Sequence, residues 1–177
     1  MKKIIAAVHT DKDFKDALES SVDMIFDLSP NIMKLDERIS AAHLSNKELF
    51  IHIDLAEGIG RDKSGMLFVK NLGVDGIIST RTVMIKAARE IGLKTVQRFF
   101  AVDSQSVDTI KSINSLRADM IEIMPGIVSK VIKNLKEQIN MPIIAGGLIE
   151  SESEAQEAYK NGAIAISTGK RELWGLC

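Results

Sequence analysis

The chain has 177 residues, of which 45% are hydrophobic and 27% charged, and its formal net charge is −1. This length favours one domain, residues 1–177, and the charge excludes a polycation, so nucleic-acid binding would need a local basic patch or an assembly. The only cysteine, Cys177, excludes an internal disulfide framework and fits a reducing compartment. The apolar run at residues 4–8 is too short for a signal peptide or a membrane span, which predicts a cytoplasmic protein.

Short β-branched runs alternate with amphipathic stretches about three turns long. The runs predict strands at residues 4–8, 24–28, 49–53, 76–79, 95–99, 120–123, 143–145 and 164–167. Helical spacing of apolar residues predicts helices at 32–44, 82–91, 104–116, 127–139 and 151–161. About eight such units favour a small TIM-like (β/α) barrel of parallel strands over an open sheet, with a truncated last helix within residues 171–177.

Local signals mark several helix ends. Gly73, Gly92 and Gly162 stand where a helix C-terminus favours a left-handed residue. Ser151 is followed three residues later by Glu154, which is the spacing of a capping box at a helix start.

The last two predicted strands end at small or hydroxyl residues. Gly146 and Gly147 follow the seventh strand, and Ser167, Thr168 and Gly169 end the eighth. Such turns expose backbone N–H groups, and phosphate sites of (β/α) barrels often follow the seventh and eighth strands. The sequence therefore predicts a phosphate site here; alternatively, the glycines only make tight turns.

Polar side chains also stand at the ends of the other predicted strands. In one strand, Ile51 and Ile53 take one parity while His52 and Asp54 take the other, which would point both polar groups into the barrel opening. Alternatively, such a ring only plugs the barrel with mutual hydrogen bonds. The ring comprises His9, Asp27, His52, Asp54, Ser79, Thr80, Arg81, Gln97, Arg98 and Glu122.

Two kinds of ligand contact are predicted from this ring. Arg81 and Arg98 are expected to bind phosphate, because guanidinium groups pair with it in bidentate fashion. The residues predicted to bind ligand hydroxyls, or to act as acid and base, are His52, Asp54, Gln97 and Glu122. These residues show no recognised metal-ligand spacing, so no metal or cofactor is predicted, and no residue is assigned a catalytic role.

Six segments resemble the glycerol uptake operon antiterminators, the bacterial glycerol-3-phosphate-responsive antiterminators. The segments are residues 49–55, 75–81, 95–99, 121–126, 142–149 and 170–174. The resemblance implies a TIM-barrel-like regulator, not an enzyme, that binds glycerol 3-phosphate and the leader mRNA of a glycerol operon and prevents transcription termination. His9 stands where an arginine is expected, and Ser29-Pro30-Asn31 replaces a more glycine-like turn.

Two function classes remain open on the residues alone: an RNA-binding regulator and a phosphosugar- or phosphoglycerol-processing TIM-barrel enzyme. The resemblance favours the regulator, and the sequence leaves open whether the chain forms a homo-oligomer. The candidate RNA contacts are Lys130, Lys133, Lys136, Lys160, Lys170 and Arg171. For each of these residues alone, a solvated lysine face is the better explanation. Ordering of residues 169–174 by the ligand would couple ligand binding to RNA affinity.

Overall fold

The computed structural model describes residues 3–103, residue 108 and residues 118–176. The strands are β1 (Lys3–Val8), β2 (Met24–Asp27), β3 (Glu48–His52), β4 (Gly76–Ser79), β5 (Lys94–Phe100), β6 (Met120–Met124), β7 (Ile143–Gly146) and β8 (Ala165–Thr168). Each strand pairs in parallel with the next, and β8 pairs with β1, so the sheet closes into a barrel. All eight predicted strands and the TIM-like fold are confirmed.

Helices cover the outside of the barrel. They are α1 (Asp11–Glu19), α2 (Leu35–Leu44), α3 (Lys63–Leu72), α4 (Thr82–Glu90), α5 (Ser129–Gln138) and α6 (Glu152–Lys160). The helix predicted at 104–116 lies outside the described residues except for residue 108. Among the helices described, none is long and apolar enough to cross a membrane.

The predicted helix ends are confirmed in detail. Ser151 and Glu154 form the capping box at the start of α6, and Gly73, Gly92 and Gly162 have positive φ angles. The helix predicted at 32–44 begins three residues later, at Leu35. The cause is a turn in which the side-chain oxygen of Asn31 accepts the N–H of Met33 at 2.9 Å.

Period-two alternation along the strands builds two separate cores. The larger core lies between the strands and the helices and includes Ile51 and Ile121. The smaller core fills the barrel with residues such as Phe50, Ile78 and Val96. Both faces of each strand are therefore buried, which explains why the strands read as nearly continuous apolar runs.

The chain after β8 makes a short 3-10 turn, Arg171–Leu173, in place of a full last helix. Trp174 is fully buried, and its indole N–H donates to the carbonyl oxygen of Thr168 at 2.8 Å. The guanidinium of Arg171 pairs with Asp13 and Asp16 of α1. The truncated last helix is thus confirmed, and these contacts pack the tail onto the barrel.

Candidate functional site

Interior-facing positions change from apolar to polar toward the carboxyl ends of the strands. Phe50 of β3 and Val96 of β5 belong to the barrel core. Two residues further along each strand, on the same face, lie His52 and Arg98. Glu122 of β6 and Ser167 of β8 join them, and all four side chains are buried. We call the opening at this end the barrel mouth, and these four residues the mouth site.

A buried ion pair organises the mouth site. The Nε atom of Arg98 donates to Glu122 Oε2 at 2.6 Å, and the hydroxyl of Ser167 donates to Glu122 Oε1 at 2.5 Å. Glu122 has no exposed surface. Its carboxylate holds Arg98 in place, and the predicted contact between Glu122 and a ligand hydroxyl stays a prediction.

Arg98 keeps most of its hydrogen-bonding capacity free. Only its Nε has a partner, and neither terminal NH2 group is hydrogen-bonded within the part of the chain that is described. The residue is 6% exposed, which places these donors at a small opening to solvent. A guanidinium in a partly desolvated site with unused donors is suited to bind an oxyanion.

The loops after β7 and β8 lie against this ion pair. A Cβ atom on Gly146 would come within 2.3 Å of Glu122 Oε1, so only glycine lets the carboxylate take its position. Gly147 and Leu148 follow with φ angles of 73° and 60°. Among the described residues, no hydrogen bond uses the N–H of Gly147, Leu148 or Gly169. These amides are available for an anion, as the sequence predicts for Gly147 and Gly169.

The hydroxyls predicted to contact phosphate are engaged elsewhere. Ser167 donates to Glu122, and the hydroxyl of Thr168 donates to the carbonyl oxygen of Ile149 at 2.7 Å. Thr168 also accepts the N–H of Lys170 at 3.0 Å. Both hydroxyls therefore brace the loops, and the backbone amides and the arginines remain as candidate contacts for an anion.

Asp54 fixes the loop after β4. Its Oδ1 accepts hydrogen bonds from Ser79 Oγ at 2.7 Å and Arg81 Nε at 3.2 Å, and its Oδ2 accepts from the N–H and hydroxyl of Thr80 at 2.8 and 2.9 Å. Burial opposes ionisation, but these donors outweigh it and hold the pKa of Asp54 below its usual range. Four donors occupy this carboxylate, so Asp54 shapes the loop and positions Arg81. Its predicted contact with a ligand hydroxyl stays a prediction.

His52 is the least satisfied residue of the mouth site. Its Nδ1 atom is buried without a hydrogen-bond partner in the described structure. Burial, and then the positive charge of Arg98, lower the pKa of His52 to about 4. The imidazole is therefore neutral at pH 7.

Gln97 does not belong to the polar ring, so that prediction is wrong. Because Arg98 faces the barrel interior, its neighbour Gln97 faces the helices, where its side-chain amide donates to Thr82 Oγ1 at 3.1 Å. Asp27 is likewise outside, in an ion pair with Arg38 of α2 at 2.6 Å. Adjacent polar residues on one strand cannot both point inward.

Sequence reasoning missed a second cavity, of about 580 Å³, at the rim of the mouth above β1 to β3. His9, Ser29 and Asn31 line it. They belong to the positions that are expected, from the resemblance alone, to depart from the antiterminator sequences. Arg38 lies on its floor between Asp11 and Asp27. No sequence motif indicated Arg38, because its two partners, Asp11 and Asp27, come from different elements.

Only three of the six candidate RNA contacts form a continuous stripe. Lys130, Lys133 and Lys136 are exposed and repeat every three residues along α5. Lys160 ends α6, whose sequence also carries three glutamates. Arg171 is neutralised by the two aspartates of α1, and Lys170 lies 4.0 Å from Glu172. The α5 lysines are thus the strongest part of the predicted surface.

The fold and the mouth site define a TIM-type (β/α) barrel whose carboxyl-end opening holds a buried arginine and free loop amides. No group of three or more potential metal ligands occurs in the residues that the structure describes. The family model described as "Glycerol-3-phosphate responsive antiterminator" matches residues 4–174. The chain belongs to this family.

Individual relatives agree with the family match. A glycerol uptake operon antiterminator regulatory protein from Listeria monocytogenes str. 4b F2365 is 31% identical, with a TM-score of 0.91 over 97% of this chain and 94% of that one. A glycerol uptake operon antiterminator-related protein from Thermotoga maritima MSB8 is 35% identical, with a TM-score of 0.86 over 98% of both chains. Uncharacterized protein YgcP of Escherichia coli (strain K12) is 37% identical over 98% of this chain and 92% of its own length. Aldolases match at 10–14% identity, which shows the fold alone.

Proposed function

We propose that the protein is a glycerol-3-phosphate-responsive transcription antiterminator that binds the leader mRNA of a glycerol utilisation operon. The observation that carries the effector part is Arg98, a buried guanidinium whose terminal N–H groups have no partner in the described structure. These donors reach a small opening to solvent, and an oxyanion in the mouth gives them charge-assisted hydrogen bonds in a partly desolvated site. The family match supports glycerol 3-phosphate as the source of that oxyanion.

The effector occupies the mouth with its phosphate toward the free amides of Gly147, Leu148 and Gly169 and toward Arg98. Arg81, which is half-exposed, adds a second guanidinium at the rim. His52, whose Nδ1 atom is buried without a partner among the described residues, then lies between the phosphate at Arg98 and the glycerol end. Binding at the mouth places the effector against loops from several strands, and movement of those loops is the route to the RNA surface.

The alternative function is a phosphosugar or phosphoglycerol enzyme. An aldolase that works through an imine needs a lysine beside the substrate. Among the described buried polar residues the only lysine is Lys47, which lies before β3, at the opposite end of the barrel, and donates to the carbonyl oxygens of Ser20 and Val22. Among the described residues, therefore, no buried lysine at the mouth supports imine chemistry.

The test is an RNA gel shift with the leader mRNA, with and without glycerol 3-phosphate. We expect glycerol 3-phosphate to tighten RNA binding and glycerol to have little effect, because only the phosphate ester makes charge-assisted hydrogen bonds to Arg98. Calorimetry on the same protein should show the same preference between the two ligands. Equal responses to the two ligands, or no RNA binding under any condition, would contradict the proposal.

The RNA surface has its own prediction. Changing Lys130, Lys133 and Lys136 together to glutamate should weaken RNA binding and reduce the slope of log affinity against log salt by about 0.7 for each RNA phosphate that the variant no longer neutralises. The matched control changes three exposed lysines on other helices, Lys15, Lys63 and Lys86, in the same way. If both triple variants lose RNA affinity equally, net charge and not the α5 stripe determines binding.

A further inference from the structure

The mouth site contains a buried imidazole that no contact of the protein explains. His52 is 4% exposed, and its Nδ1 atom has no partner among the described residues. The other members of the site are matched to one another: Glu122 holds Arg98 and Ser167. A nine-tenths buried polar side chain without a partner is costly to the fold and therefore points to a ligand contact.

The charges of the mouth cancel. Arg98 of β5 is paired with Glu122 of β6, and Arg81 after β4 is paired with Asp54 after β3. Ser167 of β8 contributes no charge. With a neutral imidazole, the mouth therefore has a formal charge of zero from these groups, although it is expected to accept a phosphate ester that is mostly dianionic above pH 7.

We propose that His52 takes up a proton from solvent when the phosphate ester binds, and that the resulting imidazolium becomes part of the anion site. This inference rests on the proposed function. No bond of the ligand breaks: one proton moves from solvent or buffer to an imidazole nitrogen, and the formal charge of the occupied mouth changes from −2 to −1.

The electrostatics of the site favour this step. In the free protein, burial and the charge of Arg98 keep the imidazole neutral, with a pKa of about 4. A phosphate beside Arg98 offsets that charge and adds negative charge of its own, and both effects stabilise the imidazolium. The pKa of His52 is therefore low in the free protein and raised in the complex, so affinity is expected to fall as pH rises above neutrality.

The experiment is calorimetric titration of the full chain with glycerol 3-phosphate at pH 7.5, in several buffers of different ionisation enthalpy. The dependence of the observed heat on the buffer gives the number of protons taken up. We expect uptake approaching one proton per ligand, and an association constant that falls by up to about tenfold per pH unit. His52→Gln should abolish the uptake and weaken binding by about tenfold to a hundredfold.

His43→Gln is the matched control, because His43 is exposed on α2, outside the barrel. It should take up protons as the wild type does. Binding without proton uptake would overturn this inference alone, and so would uptake that persists in His52→Gln, since the phosphate itself would then carry the proton.

The imidazole resonances provide a second readout. The chain has three histidines, so NMR titration can follow His52 with inorganic phosphate as the probe, even if glycerol 3-phosphate does not bind. An upward shift of the His52 titration with inorganic phosphate would support the inference while the proposed effector fails. Failure of both probes to bind would overturn the proposed function and this inference together.

Discussion

Replacing Arg98 with methionine should destabilise the barrel by about 3–5 kcal/mol and abolish binding of glycerol 3-phosphate. Glu122 has no exposed surface, and without Arg98 its remaining side-chain donor is the hydroxyl of Ser167. An uncompensated buried carboxylate either stays charged at a large cost or takes up a proton, and both outcomes lower the free energy of unfolding at pH 7. Urea denaturation measures this change.

The double variant Arg98→Met with Glu122→Gln separates folding from binding. It removes both buried charges, so we expect it to recover much of the stability lost by Arg98→Met alone, as replacement of buried ion pairs by neutral groups often does. Calorimetry should nevertheless show no binding of glycerol 3-phosphate, since the guanidinium donors are gone. A stable double variant with wild-type affinity would show that Arg98 is not a phosphate contact.

Much of the fold could be predicted from the sequence, because each strand of this barrel is buried on both faces. Residues such as Ile77 under the helices and Ile78 inside the barrel alternate without a polar interruption, so the strands appear as short apolar runs. Glycines with positive φ, such as Gly73 and Gly162, then mark where the helices end. These signals are local, so they can be recognised without knowledge of the tertiary structure.

The composition of the mouth site could be predicted only in part. The pairing of Arg98 with Glu122 follows from the register of adjacent strands, in which the two residues are direct partners. The hydrogen bond from Ser167 to Glu122 instead joins β8 to β6, which are not neighbours, and depends on the diameter of the closed barrel. The error at Gln97 has a different cause: residue type indicates that a side chain is polar, but not which face of the strand carries it.

The rim cavity also could not be predicted from the sequence, because it depends on contacts between loops. Its lining comes from the loops after β1, β2 and β3, whose lengths and turns are irregular. The turn at Asn31, for example, includes a bridge to Glu57 from the next loop and a side-chain hydrogen bond of 2.6 Å to the same residue. Such loop-to-loop contacts leave no periodic signal in either segment.

Replacing Trp174 with alanine should cost about 3–5 kcal/mol of stability, an effect of the same size as that expected at Arg98. Trp174 is one of the largest fully buried side chains, and the tail is further held by the hydroxyl of Ser21, which donates to the Trp174 carbonyl oxygen at 2.9 Å. Trp174→Phe should cost less, because it keeps most of the apolar volume and loses the hydrogen bond to Thr168. Leu176→Ala, at a half-exposed position, is the control and should change stability by no more than about 0.5 kcal/mol.

This packing also bears on how the effector signal reaches the RNA. If the ligand ordered residues 169–174, as the sequence suggests, the amides of Leu173 and Trp174 would exchange freely with solvent until glycerol 3-phosphate is added. Both amides donate within the 3-10 turn, to the carbonyl oxygens of Lys170 and Arg171 at 3.1 and 3.0 Å. We therefore expect hydrogen exchange to show protection of both without ligand, and protection that appears only with ligand would restore the ordering mechanism. A tail that is already packed would transmit the signal by shifting as a unit with Thr168, whose neighbour Gly169 has, in the part of the chain described, a free amide at the mouth.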